Sequence, residues 1–338
     1  MAAEIIFSTA RSTTGRLRDV DSNAISFSQT FDSRRAEVVQ QYFWKYHHLY
    51  VGGLRYSMDN FALDICCKGF FPEVILNLKV HSRHSDKEVL VLIHGMGSSP
   101  TAWKGIINPL LEAFTVITVD LPGHGDTKLD PNQEMDPEAL AHSVIETLLA
   151  QGFNRFHVVG SSLGGWIAFE MATMKPDAIL SITALAPAGL WLVPFQVRYP
   201  GTAVARMMAS SLTLVSPVLL RYEWARKIGF SDVSPRWKEY SYELCLDATN
   251  AMAKAAGYYP AWDSLLKRRF GKPINESIPI TIIFGDSDKT LPKETCQERS
   301  LAPAHAQWII YENCGHAPMW DYPKKVVDEI YMTTKTQP

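Results

Sequence analysis

Apolar and polar positions along the chain fall into distinct regimes. Residues 1–33 are polar and aperiodic and read as a poorly ordered tail. In "RRAEVVQQYFWKYHHLY" (34–50), Val38, Tyr42, Phe43 and Tyr46 recur at helical spacing, which predicts an amphipathic helix. From residue 73 the pattern changes. "EVILNLKVHS" (73–82) alternates as a half-buried strand does. "EVLVLIHG" (88–95) is a continuous apolar run closed by glycine, the pattern of a strand covered on both faces.

Strands and helices then alternate. "FTVITVD" (114–120) predicts a strand, and Asp136-Pro137-Glu138 opens a helix, with Asp136 as N-cap and Pro137 at the first helical position. Apolar periodicity carries that helix to about Leu149, and Gly152 ends it. "RFHVVG" (155–160) is the next strand, "LGGWIAFEMATM" (163–174) the next helix and "ILSITALAP" (179–187) the next strand. Two more strands follow much later, "ITIIFG" (280–285) and "QWIIYE" (307–312), and a helix from about Pro323 to Thr333. Such alternation predicts an α/β protein with a mostly parallel, doubly wound sheet. Residues 190–270 interrupt it with several helices and no strand signal. They are rich in aromatics, among them Trp191, Tyr222, Trp224, Trp237, Tyr258 and Trp262. This is an inserted helical cap, and its aromatics imply an apolar pocket wall, with Trp191, Tyr222 and Trp224 as the pocket candidates.

Composition changes this picture little. The chain has 338 residues, 46% of them hydrophobic and 20% charged, which suits a large folded core. A net charge of −2 builds no strong overall field for nucleic acid or an anionic membrane. No apolar run approaches the roughly 20 residues of a membrane span, so no integral membrane segment is expected. Five scattered cysteines without a CxxC fit reduced thiols, and hence a cytoplasmic location. The Ser- and Arg-rich N-terminus leaves organelle import as the alternative. The pairs His47-His48 and His81/His84 lack further ligands at suitable spacing, so neither metal nor cofactor is expected. The Cys66-Cys67 pair supports no particular chemistry.

The candidate chemistry lies in "VVGSSLGGWIAFEMA" (158–172). Gly160 and Gly164 flank Ser162 as a Gly-x-Ser-x-Gly elbow requires, whereas Ser161 has Val159 and Leu163 at those positions. A strand precedes and a helix follows, as the motif demands, and the helix aims its free N–H groups at the turn. A serine hydroxyl needs an adjacent base that is itself oriented by a third group. His316, in a loop after the last strand, can reach the same sheet edge. The strand ending at residue 285 offers Asp286 and Asp288, and no acid follows the strand ending at Pro187.

Five segments together, "LIHGMGSSPTAW" (92–103), "VDLPGHGDT" (119–127), "GSSLGG" (160–165), "FGDSDKTLP" (284–292) and "CGHAPMWDYP" (314–323), resemble those of α/β-hydrolase fold serine hydrolases with a helical cap, in the family's order. The resemblance covers about residues 73–190 and 270–335. It implies a core of 73–190 and 270–338, a cap over 191–269, and an N-terminal extension over 1–72, partly disordered or helical. It selects Asp288 over Asp286 and gives the triad Ser162, Asp288 and His316. The oxyanion donors implied are the amides of Leu163 and Met96, the latter supported by His94 and Gly95. His94 then orients the oxyanion loop, and Asp120 and His124 are loop scaffolding.

The expected activity is hydrolysis of an ester or thioester of a small to medium apolar acyl substrate. Carbon–carbon bond or amide hydrolysis within the same family is the alternative, and a non-catalytic small-molecule receptor on this fold is the reading of another class. Asp replaces the elbow serine in dehalogenase and epoxide hydrolase branches, which disfavours both. A homo-oligomer is compatible with the sequence.

Overall fold

The computed structural model describes residues 48–51, 54–57, 76–82, 86–198, 200–211 and 213–335. The chain divides into two units, Met1–Pro72 and Glu73–Pro338. In the first, β1 (His48–Val51) and β2 (Leu54–Ser57) pair antiparallel, with Val51 opposite Leu54. The sequence between them is Gly52-Gly53, a dipeptide that two-residue hairpin turns favour. β1 thus occupies the end of the span whose periodicity predicts a helix. The rest of that span lies outside the described residues, as do the tail 1–33, His47, His84 and the Cys66-Cys67 pair.

The second unit is built on seven strands. These are β3 (Leu78–Val80), β4 (Glu88–Ile93), β5 (Phe114–Val119), β6 (Phe156–Ser161), β7 (Ile179–Leu185), β8 (Ile280–Gly285) and β9 (Gln307–Tyr311). Their order is β3-β5-β4-β6-β7-β8-β9. β3 runs antiparallel to β5 and the other pairings are parallel. β3 is shorter than the alternation over 73–82 implies.

Buried residues alternate between the faces of the sheet, as the two-residue strand period requires. Val91 and Ile93 pack with α2 (Pro137–Ala150) and α3 (Leu163–Met174), through Leu140, Val144 and Ile167. Leu90 and Leu92 pack on the other face with α1 (Lys104–Leu110) and the C-terminal helix Pro323–Thr334, through Ile106, Leu110, Val326 and Ile330. Asp136 caps α2 by accepting the Ala139 amide at 3.0 Å, and Gly152 beyond its end takes a φ of +84°. α1 escapes the sequence reading because Gly105 and Pro109 interrupt its pattern; burial of Ile106, Ile107 and Leu110 holds it nonetheless.

Between β7 and β8 the chain forms α4 (Pro200–Ser211), α5 (Ser216–Leu219), α6 (Glu223–Phe230), α7 (Tyr242–Lys254) and α8 (Tyr258–Leu265). These helices have two small cores of their own, one around Leu220, Phe230, Trp237 and Tyr240, the other around Tyr258 and Trp262. The Lys104–Asp247 ion pair at 2.5 Å joins α1 to α7. After β8 come α9 (Lys293–Cys296), α10 (Pro318–Asp321) and α11 (Pro323–Thr334). Among the described residues no helix is long and apolar enough to cross a membrane.

Candidate active site

Parallel strands direct their C-terminal ends to one edge, where α/β sheets bind ligands. Four loops of interest leave the sheet there, after β4, β6, β8 and β9. Ser162 stands at the β6–α3 turn with φ 53° and ψ −115°, a backbone conformation that costs a serine free energy. Its amide donates to the Leu185 carbonyl at 2.9 Å, and its carbonyl accepts from the Ala188 amide at 2.9 Å. These bonds tie both sides of the strained residue to the end of β7.

The flanking glycines have a steric cause. A Cβ on Gly160 would stand 2.2 Å from the Gly164 carbonyl oxygen, and one on Gly164 would stand 2.1 Å from that of Ile93. Strand and helix therefore approach closely enough to bring the β4 loop beside the serine. A Cβ on Gly95 would meet Ser162 Cβ at 3.0 Å and Oγ at 3.7 Å. Met96 follows Gly95 in this loop. Leu163 opens α3, so its amide has no acceptor within the helix.

Two buried histidines shape the β4 loop. The Leu121 amide donates to His94 Nε2 at 3.2 Å, so Nδ1 carries the proton and donates to the Gly95 carbonyl at 2.8 Å. The Gly97 amide donates to His124 Nε2 at 3.0 Å, and His124 Nδ1 donates to the Pro122 carbonyl at 3.0 Å. Burial above all, and for His94 the neighbouring His124 next, pushes their pKa values down to about 3 and about 4. Both rings are neutral braces between the β4 and β5 loops. Asp120 is buried beneath the second of these loops. It accepts from Asn77 Nδ2 at 2.7 Å and from the Asp126 amide at 3.1 Å, while burial raises its pKa.

The structure brings Asp288 and His316 together. His316 Nδ1 donates to Asp288 Oδ2 at 2.8 Å. The Thr290 and Leu291 amides fix the other carboxylate oxygen at 2.9 and 2.8 Å. Burial works to raise the Asp288 pKa, but the His316 charge, its hydrogen bond and the two amides outweigh it and hold the carboxyl below its ordinary range. Asp286 takes a different part: its Oδ1 accepts from Ser287 Oγ and from the Cys314 amide, at 2.8 and 3.3 Å. Ser162 Oγ makes no hydrogen bond to His316 among the described residues. Catalytic contacts of this kind commonly tighten only with substrate in place.

The loop carrying His316 rests on a carboxylate that the sequence patterns did not mark. Asp321 is buried; its Oδ1 accepts from Ser234 Oγ at 2.6 Å and from Tyr240 OH at 2.7 Å. Its Oδ2 accepts from the Gly315 amide at 2.7 Å. The His316 amide donates to the Val233 carbonyl at 2.8 Å. Ser234, Tyr240 and Val233 all belong to the cap, so the cap holds the histidine loop from both sides of Gly315. The signal in the sequence was an aspartate set among Pro318, Met319 and Trp320, an acid in an otherwise apolar run. The cap also rests on the β4 loop, where Met252 and Tyr258 fill the space a Cβ on Gly97 would occupy.

The three pocket candidates need correction. Trp191 is enclosed, its ring edge-on to Trp166 and Phe195 and its Nε1 donating to the Arg268 carbonyl at 2.6 Å. Tyr222 and Trp224 are 55% and 56% exposed on the cap. Trp191 is core and the other two are surface; aromatic content alone could not distinguish these from a pocket wall. Among the described residues no group of three or more His, Cys, Asp or Glu side chains is placed to hold a metal ion.

Residues 90–329 match the model of the alpha/beta hydrolase family. An uncharacterised protein of Mycobacterium tuberculosis is 27% identical over 267 residues, 74% of this chain and 76% of its own. Mouse monoacylglycerol lipase ABHD6 is 24% identical over 262 residues, 72% of this chain and 74% of its own. The crystal structure of a putative lipase from Acinetobacter baumannii shares the fold with a TM-score of 0.57 at 19% identity, covering 91% of this chain and 99% of that one. With a seven-stranded sheet of this order and a family match across most of its length, the chain belongs to the alpha/beta hydrolase family.

Proposed function

We propose that the chain is a serine hydrolase that cleaves esters of small to medium apolar acyl groups. The observation that carries this reading is the pairing of His316 with the buried Asp288, on loops at the same sheet edge as the strained Ser162 elbow. His316 Nε2 takes the Ser162 proton as Oγ attacks the acyl carbonyl. Nδ1 stays bonded to Asp288, which fixes the ring and offsets its charge once protonated. The carbonyl oxygen becomes an oxyanion, and the Leu163 and Met96 amides stabilise it. The imidazolium then protonates the leaving alcohol. Water, deprotonated by the same histidine, attacks the acyl-enzyme and releases the acid and free Ser162.

The mouse relative's name, monoacylglycerol lipase, supports an acyl ester as substrate. Initial rates on 4-nitrophenyl esters from acetate to laurate test the reading. Turnover with an optimum at one chain length is expected, and its position measures the acyl pocket. A folded protein with no turnover on any ester of the series would overturn the ester reading.

A further inference from the structure

Twelve of the fifteen exposed large hydrophobic side chains among the described residues fall between positions 192 and 228; Met174, Ile310 and Met332 are the others. Leu214 is 94% exposed, Ile228 59% and Val218 58%, and Val193, Met207 and Trp224 are likewise open. The segment runs through α4, α5 and α6. The cap pins it from one side: Arg206 Nη1 donates to the Met252 carbonyl at 2.5 Å, and Tyr242 OH donates to the Pro217 carbonyl at 2.8 Å. Met207, Met208, Leu214, Val215 and Val218 stay exposed beside these contacts. So large a concentration of open apolar side chains marks an interaction surface.

Charge selects the partner. Residues 192–228 hold five basic side chains, Arg198, Arg206, Arg221, Arg226 and Lys227, and one acid, Glu223. The segment is thus +4 in a chain of net −2, which leaves −6 for the remainder. Lys238 pairs with Glu223 at 3.3 Å and offsets that single acid. Arg221 and Lys227 are exposed beside Tyr222, Trp224 and Ile228. Arg198 is paired with Asp263 and Arg206 turns to the Met252 carbonyl, so two copies meeting through this face would set Arg221, Arg226 and Lys227 against the same three cations. Residues 1–47 carry six basic and five acidic side chains, which supply no complementary charge. Apolar side chains interleaved with cations, tyrosine and tryptophan match an anionic lipid surface, where the first enter the headgroup boundary and the second pair with phosphate.

We propose that the α4–α6 face of the cap docks on anionic membranes. Its meaning rests on the ester-hydrolase reading, since docking would place the cap, and the site beneath it, against a source of acyl esters. The docking itself is measured without turnover. The full chain is sedimented with phosphatidylcholine vesicles, with and without phosphatidylglycerol. Binding is expected with the anionic lipid and weakens as salt rises. The triple substitution Leu214→Ser, Val218→Ser and Trp224→Ser is expected to weaken it at least about tenfold, while kcat/KM on soluble 4-nitrophenyl acetate stays within about twofold of wild type.

Absence of binding by the full chain, or binding that the triple substitution leaves intact, overturns the proposal. Gel filtration showing a dimer that the substitutions dissociate would make a second copy the occupant. Binding gained only on deletion of residues 1–72 would make that segment the occupant. A vesicle-binding protein that hydrolyses no ester would leave docking standing and remove the ester reading instead.

Discussion

At the residue scale, the site is a set of groups whose environments differ. Asp288 is buried yet kept charged, because His316 and two amides supply more than desolvation removes. Cys314, one residue before Gly315, is buried as well, and its thiol is pushed up, first by burial and then by Asp321. It is therefore a neutral packing group. Asp321 is a positioning residue: three donors converge on it, and one is the amide beside His316. Asp321→Asn presents an NH2 where a carboxylate oxygen accepts, leaving one buried donor unsatisfied at about 1–3 kcal/mol. The expected result is a kcat about tenfold lower, equivalent to about 1.4 kcal/mol in the barrier, with KM changed less than about twofold and partial rescue by Asp321→Glu. A lower melting temperature with unchanged kcat would reduce Asp321 to a structural role.

At the element scale, the β4 and β5 loops are joined by His94 and His124, both neutral in the folded protein. Their folded pKa values, about 3 and about 4, lie below the ordinary 6.5. The unfolded chain therefore binds protons first as pH falls. Their contribution to stability is complete above pH 6.5 and is lost as pH drops towards 4 for His124 and 3 for His94. Melting temperature should fall steadily through that window. His124→Gln keeps an acceptor for Gly97 and removes one titrating ring, so it should flatten the slope. An identical slope in the variant would contradict this assignment.

Most of these elements were legible in the sequence. β4 to β9, α2 and α3 each carry an uninterrupted apolar run or a clear helical repeat, and the elbow glycines announce a close strand–helix approach. α1 was not legible, since its Gly105 and Pro109 mimic a loop. β1 was hidden because Tyr46 continues a helical repeat into residues that pair instead with β2.

At the scale of the whole molecule, the cap is a support. It holds the histidine loop through Val233, Ser234 and Tyr240, and it fills the space above Gly97 with Met252 and Tyr258. None of this was visible in the sequence, because contacts between distant segments leave no local period. The same limit misplaced Trp191, Tyr222 and Trp224: composition reports that aromatics are present, and only packing reports which side they face. The same insertion that contacts the His316 loop through Val233, Ser234 and Tyr240 also carries the face proposed to dock on membranes.

The central claim is that Ser162 is the nucleophile, and covalent trapping tests it most directly. Wild type and Ser162→Ala are incubated with a fluorophosphonate and their intact masses are compared. One adduct is predicted on wild type, located at Ser162 by peptide mapping, with none on the variant and with turnover lost in parallel. An unlabelled but active wild type, or a variant labelled equally well, would contradict the account.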